Sequence, residues 1–143
     1  TAQLVHVRPD REKARHAIVA LLKYTVTVTV QIVNEVVVTG NAGAGGTLTA
    51  GRDVLVTATA TDAKVASATA TAGQVWVQAL SGIADVGTAT AGTDVRIDGG
   101  TARLGSGDAV NDIVLTAGGD AVLGTGVAGS NVTLTAGNDA TAT

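Results

Sequence analysis

Residues 112–123 carry the sequence Asp112-Ile113-Val114-Leu115-Thr116-Ala117-Gly118-Gly119-Asp120-Ala121-Val122-Leu123, and a similar pattern returns 19 residues later. There, Asn131-Val132-Thr133-Leu134-Thr135 takes the place of the first five residues, and an Ala-Gly-x-Asp turn ending at Asp139 follows again. Alternation of apolar and other residues with a period of two is typical of a β-strand with one buried face. The repeated unit is therefore predicted to be a strand, a tight turn and a second strand.

The tripeptide Thr-Ala-Gly recurs along the chain, and four of its five copies extend to Thr-Ala-Gly-x-Asp. Glycine permits the backbone angles of a tight corner, and an Asp side chain can hydrogen-bond to the backbone there. The copies begin at Thr49, Thr71, Thr90, Thr116 and Thr135, with gaps of 22, 19, 26 and 19 residues. The predicted turn residues are Gly51, Asp53, Gly73, Gly92, Asp94, Gly118, Asp120, Gly137 and Asp139.

A period near 19 residues with two or three short strands fits one coil of a parallel β-solenoid. Coils stack at the ordinary strand spacing of about 4.8 Å, so residues 39–143 would form five to six coils in a rod about 25 Å long. The gaps of 22 and 26 residues are interpreted as loops of three and seven extra residues, with residues 105–108 in the longer loop. Loops at a corner leave the strand ladder of a repeat protein intact.

The composition supports a narrow core. The chain has 143 residues with one Trp, one Tyr and no Phe, Met or Cys, and a formal net charge of −3. Cores of helix bundles and doubly wound sheets are filled by large side chains, which this chain lacks. The absence of Cys excludes a disulfide scaffold and a thiolate metal site. The hydrophobic fraction of 45% disfavours disorder, and no apolar run approaches the ~18 residues of a membrane helix.

Charge and glycine content divide the chain into residues 1–38 and residues 39–143. Residues 10–23 place Ala17, Ile18 and Leu21 at helical spacing, and Asp10 suits the N-cap, so a short helix is predicted there. Residues 24–32 alternate strictly and predict a strand. The helix is expected to cap the solenoid at its N-terminal end, because exposed edge strands invite aggregation. The chain is expected to be a piece of a longer protein.

The two copies that begin at Asp112 and Asn131 resemble the repeats of filamentous haemagglutinin-like exoproteins, which are large bacterial adhesins exported by two-partner secretion. The resemblance covers residues 46–143, whereas residues 1–38 do not match the repeats. It implies a right-handed parallel β-helix that serves as the shaft of a secreted or cell-surface adhesin, or of a contact-dependent toxin. Through the longer chain, it implies partners among host-cell or bacterial surface receptors and glycans, and it allows end-to-end self-association.

An ice-binding solenoid is the alternative interpretation, because Thr-x-Thr pairs recur in the strands. Threonines stacked on one flat face could order water, as the resemblance to threonine-array antifreeze proteins suggests. Threonine is also common on the solvated face of an ordinary strand. The candidate ice-binding residues are Thr57, Thr59, Thr69, Thr71, Thr88, Thr90, Thr133 and Thr135.

Enzyme activity is not expected, and no cofactor or metal is assigned. The pairs Asp94/Asp98 and Asp108/Asp112 are the closest acidic pairs, and Trp76 is the only aromatic platform for a sugar, so acids of loops and turns are the favoured interpretation. Residues 105–112 resemble a calcium-binding nonapeptide, but the pattern occurs once. The basic cluster of residues 8–16 is interpreted as a solvated helix face, with no nucleic acid as partner and no membrane insertion. His6 and His16 lack a third metal ligand.

Overall fold

The structure is a computed structural model that describes residues 3–7, 16–21, 26–32, 35–40, 44–59 and 62–143, with side chains from residue 46 onward. Every regular element in these ranges is a β-strand. The strands are β1 (Gln3–Val7), β2 (His16–Leu21), β3 (Val26–Ile32), β4 (Glu35–Gly40), β5 (Ala44–Gly45), β6 (Thr47–Ala50), β7 (Asp53–Ala58), β8 (Ala63–Ala70), β9 (Val75–Ala79), β10 (Ile83–Ala91), β11 (Val95–Gly99), β12 (Thr101–Ala109), β13 (Ile113–Ala117), β14 (Ala121–Ala128), β15 (Val132–Ala136) and β16 (Ala140–Ala142).

The strands form two parallel sheets, and the chain alternates between them. Sheet 1 has the order β1-β3-β6-β8-β10-β12-β14-β16, with β5 also paired to β3, and sheet 2 has the order β15-β13-β11-β9-β7-β4-β2. Each strand of sheet 1 and the strand of sheet 2 that follows it make one coil, so β6/β7, β8/β9, β10/β11, β12/β13 and β14/β15 are five successive coils. The predicted all-β parallel solenoid is confirmed.

The register between coils confirms a period near 19 residues. Ala102 pairs with Ala121 at an offset of 19, and Ala84 pairs with Ala63 at an offset of 21. Between β10 and β12 the offset is 18, as in the pairing of Thr88 with Ser106. The coil length therefore varies by only a few residues, and these are accommodated at the corners.

The predicted N-terminal helix is wrong where the structure describes it. Residues 16–21 form β2, which pairs in parallel with β4 from His16↔Glu35 to Leu21↔Gly40. The helical spacing of apolar residues also fits a strand here, because the segment Ala17-Ile18-Val19-Ala20 contains two β-branched residues and has a parallel partner strand available. Residues 10–15, 22 and 23 of the predicted helix lie outside the described residues.

Both sheets continue across the predicted boundary at residue 38. Strand β4 spans it, and Val38 pairs with Val56 of β7. On the other sheet, Val30 of β3 pairs with Leu48 of β6. The predicted strand over residues 24–32 is seen as β3, whereas residues 24 and 25 lie outside the described part of the chain.

The five Thr-Ala-Gly copies do not occupy one corner of the coil. We call the connection from sheet 1 to sheet 2 the first corner, and the connection from sheet 2 to the next strand of sheet 1 the second corner. Thr49 and Thr90 stand at the end of sheet 1 strands, before the first corner, whereas Thr116 and Thr135 pair in sheet 2, before the second corner. Thr71 follows Ala70, the partner of Ala50, so its copy is displaced along the coil by two residues.

The predicted seven-residue loop is therefore wrong. The gap of 26 residues from Thr90 to Thr116 compares two different corners, and residues 105–108 lie inside strand β12. Ser106 and Asp108 of this segment pair with Thr88 and Thr90 of the preceding coil. No extra loop is needed, because the same Thr-Ala-Gly-x-Asp chemistry ends a strand at either corner.

The core consists of aliphatic side chains stacked in rows. Among the described residues, the buried side chains are Ala, Val, Leu and Ile, and no buried polar or charged residue is found there. In one row, the side chain never increases in size from one coil to the next. This row consists of Leu48, Ala68, Ala89 and Gly107 in successive strands of sheet 1. A facing row gains volume instead, since Val86 is followed by Leu104 in the next coil. A larger side chain in one row therefore compensates for a smaller one in the other, and the core stays filled.

The long strands of sheet 1 bend at a stack of small residues. Ala66, Gly87, Gly105 and Gly124 occupy equivalent positions, and the pairing between coils is interrupted there. A Cβ on Gly105 would stand 2.6 Å from the carbonyl oxygen of Gly87, and a Cβ on Gly87 would stand 2.5 Å from that of Ala66. Gly46 begins the stack with a φ of 97°, a left-handed conformation that favours glycine. Each coil therefore has three faces, two from sheet 1 and one from sheet 2.

Candidate functional surfaces

The first corner carries a ladder of polar side chains that joins three of the four pairs of successive coils from β6/β7 to β14/β15. The backbone N–H of Gln74 donates to Oδ1 of Asp53 at 3.0 Å, and the N–H of Asp112 donates to Oδ1 of Asp94 at 3.2 Å. The N–H of Asn131 donates in the same way to Oδ1 of Asp112 at 3.0 Å. These carboxylates therefore satisfy backbone donors that the sheet ladder does not reach.

The second corner has the same kind of hydrogen bond between a backbone N–H and an aspartate side chain. The N–H of Ile83 donates to Oδ1 of Asp62 at 2.8 Å, and the N–H of Asp139 donates to Oδ1 of Asp120 at 3.4 Å. The predicted turn aspartates thus divide between the corners, with Asp53 and Asp94 at the first and Asp120 and Asp139 at the second. The sequence interpretation missed Asp62 and Asp112 as members of these ladders. The signal was present, because Asp112-Ile113 matches Asp53-Val54 and Asp94-Val95.

The predicted turn glycines also occupy two corners and have different surroundings. Gly51, Gly73 and Gly92 lie at the first corner, and Gly118 and Gly137 lie at the second. A Cβ on Gly73, Gly92 or Gly137 would meet the backbone of the preceding coil, so the chain passes too closely for a side chain. At Gly118 an added Cβ would meet nothing within 4 Å. All five predicted glycines thus lie at corners, and Gly118 differs from Gly73, Gly92 and Gly137 because it borders open space.

Sheet 1 presents two parallel rows of hydroxyl-bearing residues between its bend and the first corner. We call these the hydroxyl rows. The outer-facing residues pair in register across successive coils, which places equivalent side chains about 4.8 Å apart. One row is Thr47, Ser67, Thr88, Ser106 and Thr125, and the other is Thr49, Thr69 and Thr90, continued by Asp108 and Val127.

The predicted ice-binding threonines do not form one surface. Thr69, Thr88 and Thr90 belong to the hydroxyl rows of sheet 1, whereas Thr57, Thr133 and Thr135 lie in sheet 2. Thr59 follows the end of β7, and Thr71 lies in the first corner. Thr47 and Thr49, another Thr-x-Thr pair of the sequence, also stand in these rows, whereas the sequence interpretation missed the serines at 67 and 106. Counting Ser as equivalent to Thr at coil spacing would have found the rows.

A polar cluster surrounds the single tryptophan on the outer face of sheet 2. The indole Nε1–H of Trp76 donates to Oδ2 of Asp98 at 2.7 Å, and the guanidinium carbon of Arg96 stands 5.6 Å from the centre of the Trp76 ring. Arg96 pairs with Trp76 in the strand register. The cation therefore faces the ring, which is a favourable arrangement.

The acidic pairs noted in the sequence do not share a site. Asp94 accepts from the backbone of Asp112, whereas Asp98 accepts from Trp76, so the two carboxylates have different roles. Asp108 lies on an exposed strand position and Asp112 lies at the first corner. Within residues 44–59 and 62–143, together with the described strands before them, no group of three His, Cys, Asp or Glu residues could hold a metal ion.

No protein-family model, curated protein or solved structure matches the chain. In the part of the chain that the structure describes, no helix has the length and apolar character needed to cross a membrane.

Proposed function

We propose that the chain is a non-catalytic solenoid segment that serves as the shaft of a secreted or surface-exposed bacterial adhesin of the filamentous haemagglutinin-like type. The observation that carries the proposal is the parallel strand pairing that runs through all the coils, with further side-chain connections at both corners. Parallel strand pairing is reinforced by carboxylates such as Asp62, Asp94 and Asp112, which each accept a backbone N–H from the following coil. A shaft requires a rigid rod of this kind.

The outer surface also suits a shaft. Exposed strand positions carry mostly polar or charged side chains, and Lys64, Asp85 and Arg103 follow one another in register with alternating sign on the first face of sheet 1. Neighbouring opposite charges in adjacent strands are mildly stabilising and keep the surface soluble. In repeat proteins each coil contacts only its neighbours, so length can be added without a new core. In this proposal the rest of the longer polypeptide binds surface receptors or glycans.

The size and location of the native polypeptide test this proposal. An antibody raised to residues 62–143 is used on intact and lysed source cells, with and without an external protease. A shaft predicts that the antibody detects a polypeptide much larger than 13.9 kDa, and that external protease removes it from intact cells. Detection only after lysis, in a protease-protected product near 13.9 kDa, would contradict the proposal.

Ice binding is a second candidate, and the hydroxyl rows favour it. Residues i and i+2 of a strand lie about 6.6 Å apart and coils about 4.8 Å apart, so Thr47/Thr49, Ser67/Thr69 and Thr88/Thr90 form a regular two-dimensional array. Because the strands hold the hydroxyls in fixed positions, water can bind to the array with little further loss of entropy. An ordinary solvated strand face does not require hydroxyl groups at such regular spacings, so the regularity of the array favours ice binding.

Thermal hysteresis tests the second candidate. The purified chain is expected to separate the freezing point from the melting point of ice, and Thr69→Tyr is expected to abolish the gap by breaking the flat centre of the array. Thr135→Tyr on sheet 2 is the matched control and is expected to retain it. Wild-type protein without hysteresis, or an equal loss in both variants, would remove ice binding as a candidate.

A further inference from the structure

An open groove of about 360 Å³ runs across three coils at the edge of sheet 2, next to the second corner. Its lining includes Gln78, Leu80, Asp98, Gly100, Thr116 and Gly118. The volume is at the lower end of the range for small-molecule sites, which is about 300–1,000 Å³. The groove therefore has room for a ligand of roughly one ring.

The floor of the groove lacks side chains because of two glycines. Leu80, Gly100 and Gly118 each lie two residues after the in-register positions Gln78, Asp98 and Thr116. In the first of these coils Leu80 forms an apolar wall and is 58% exposed. A Cβ on Gly118 would meet nothing within 4 Å, so this glycine is not required by backbone packing. The absence of a side chain there leaves the groove open.

The opposite wall is a row of three polar side chains, Gln78, Asp98 and Thr116, spaced by the coil repeat. The Trp76 indole N–H holds Asp98 through Oδ2 at 2.7 Å. Among the described residues, no hydrogen bond is made by the other carboxylate oxygen of Asp98 or by the side chains of Gln78 and Thr116. The row thus offers an oriented acceptor between two groups that can both donate and accept.

From these features we infer that the groove binds an uncharged hexose unit of a glycan. A sugar ring carries neighbouring hydroxyls on its edge, which match the row of acceptors and donors, and C–H groups on its face, which match Leu80. Arg96 lies two residues before Asp98 in β11, and its guanidinium stands over the ring of Trp76, which donates to Asp98. A cation thus accompanies the carboxylate, and a ligand without charge fits. The inference holds for either candidate function, since it depends only on the groove in sheet 2.

Trp76 is the only tryptophan of the chain, and it donates to Asp98 of the groove, so its emission reports on a ligand that binds Asp98. The 143-residue protein is titrated with the methyl glycosides of glucose, galactose, mannose and N-acetylglucosamine, and Trp76 emission is followed, with saturation-transfer NMR as a second readout. At least one glycoside is expected to give a saturable change with a Kd on the order of 1 mM. Gly118→Leu fills the groove and is expected to weaken binding at least tenfold.

Two further variants separate loss of the site from loss of the fold. Asp98→Ala is expected to weaken binding by a similar factor, and its circular dichroism shows whether the solenoid persists. Thr133→Leu places the same bulky residue on an exposed position of sheet 2 outside the groove, and it is expected to bind like wild type. No saturable change with any of the four glycosides, or equal binding by wild type and Gly118→Leu, would overturn the inference.

Discussion

Asp112 and Asn131 are joined by two hydrogen bonds across one full coil. Oδ1 of Asp112 accepts the backbone N–H of Asn131 at 3.0 Å and the side-chain Nδ2–H of the same residue at 3.1 Å. The N–H of Asp112 itself donates to Asp94 in the coil before. The Asp112 carboxylate therefore fixes the residue before strand β15, and the backbone N–H of Asp112 is in turn fixed by the Asp94 carboxylate.

Replacing Asp112 by Ala is expected to lower the free energy of unfolding by about 1 kcal/mol, because a partly exposed backbone donor loses its charged acceptor. Asp112→Asn keeps an acceptor oxygen and is expected to lose less. Urea denaturation measures both. Asp108→Ala is the control, since Asp108 is an exposed strand residue of the same coil. A loss for Asp108→Ala equal to that for Asp112→Ala would contradict the importance of the ladder.

Because side-chain sizes compensate between core rows, a smaller residue at Leu104 is expected to offset the destabilisation caused by a larger residue at Gly107. A Cβ on Gly107 would stand 2.8 Å from Cδ2 of Leu104 and 3.1 Å from Cδ1 of Ile113, so Gly107→Ala is expected to destabilise the solenoid by about 1 to 3 kcal/mol. Leu104→Val added to it recreates the Val86 and Ala89 pair of the preceding coil. The double variant is therefore expected to be more stable than Gly107→Ala alone.

A double-mutant cycle on thermal or urea unfolding measures this coupling, which is expected to be about 1 kcal/mol or more. Leu104→Val by itself is the reference and is expected to be destabilising, because it removes buried apolar volume. Strictly additive effects of the two substitutions would show that Leu104 does not occupy the space that Gly107 leaves.

Two glycines, one in β12 and one in the corner directly after β13, are expected to respond differently to the same change. Gly105→Ala would place its Cβ 2.6 Å from the carbonyl oxygen of Gly87, so the bend of sheet 1 must shift and stability is expected to fall. Gly118→Ala meets nothing within 4 Å and is expected to be neutral or to stabilise by up to about 1 kcal/mol, because it restricts the unfolded chain. Melting temperatures of the two variants test the contrast. Equal destabilisation would contradict it.

The first-corner ladder has a gap that a substitution can fill. In the described residues no bond joins the Gln74 side chain to the Asp94 N–H, although Asp53, Asp94 and Asp112 each accept from the coil that follows. Asn places its side-chain oxygen where the aspartates have theirs and adds no negative charge. Gln74→Asn is expected to raise the unfolding free energy by about 0.5–1 kcal/mol. Gln74→Ala serves as the comparison and is expected to give no gain.

The architecture was predictable because two signals agree at every coil. Alternation in segments such as Ile113–Ala117 indicates strands, and the 19-residue repeat sets how they stack. The shortage of aromatic residues fits a core in which Ala, Val, Leu and Ile fill a narrow space. These properties are local or periodic, so a single sequence contains them.

The assignment of corners and surfaces was not predictable from the same signals. Thr-Ala-Gly-x-Asp suits both corners, because each requires a strand end, a close backbone passage and an acceptor for the next coil. Only the register shows that Thr90 and Thr116 lie on different sheets. In β2, the pairing with β4 overrides the helical spacing of Ala17, Ile18 and Leu21. The groove was also not predictable from the sequence, since Gly100 and Gly118 form its floor only when the coils stack.

The ladders of both corners give the rod a direction. In each case the donor belongs to the later coil and the acceptor to the earlier one, as in Ile83 to Asp62 and Asp139 to Asp120. One end of any stack of such coils thus offers unused carboxylate acceptors, and the other offers unused N–H donors. Two stacks can extend this bonding only head to tail. A contact of this kind would be heterologous, so it would join copies in an open filament or a ring and would not form a two-fold dimer.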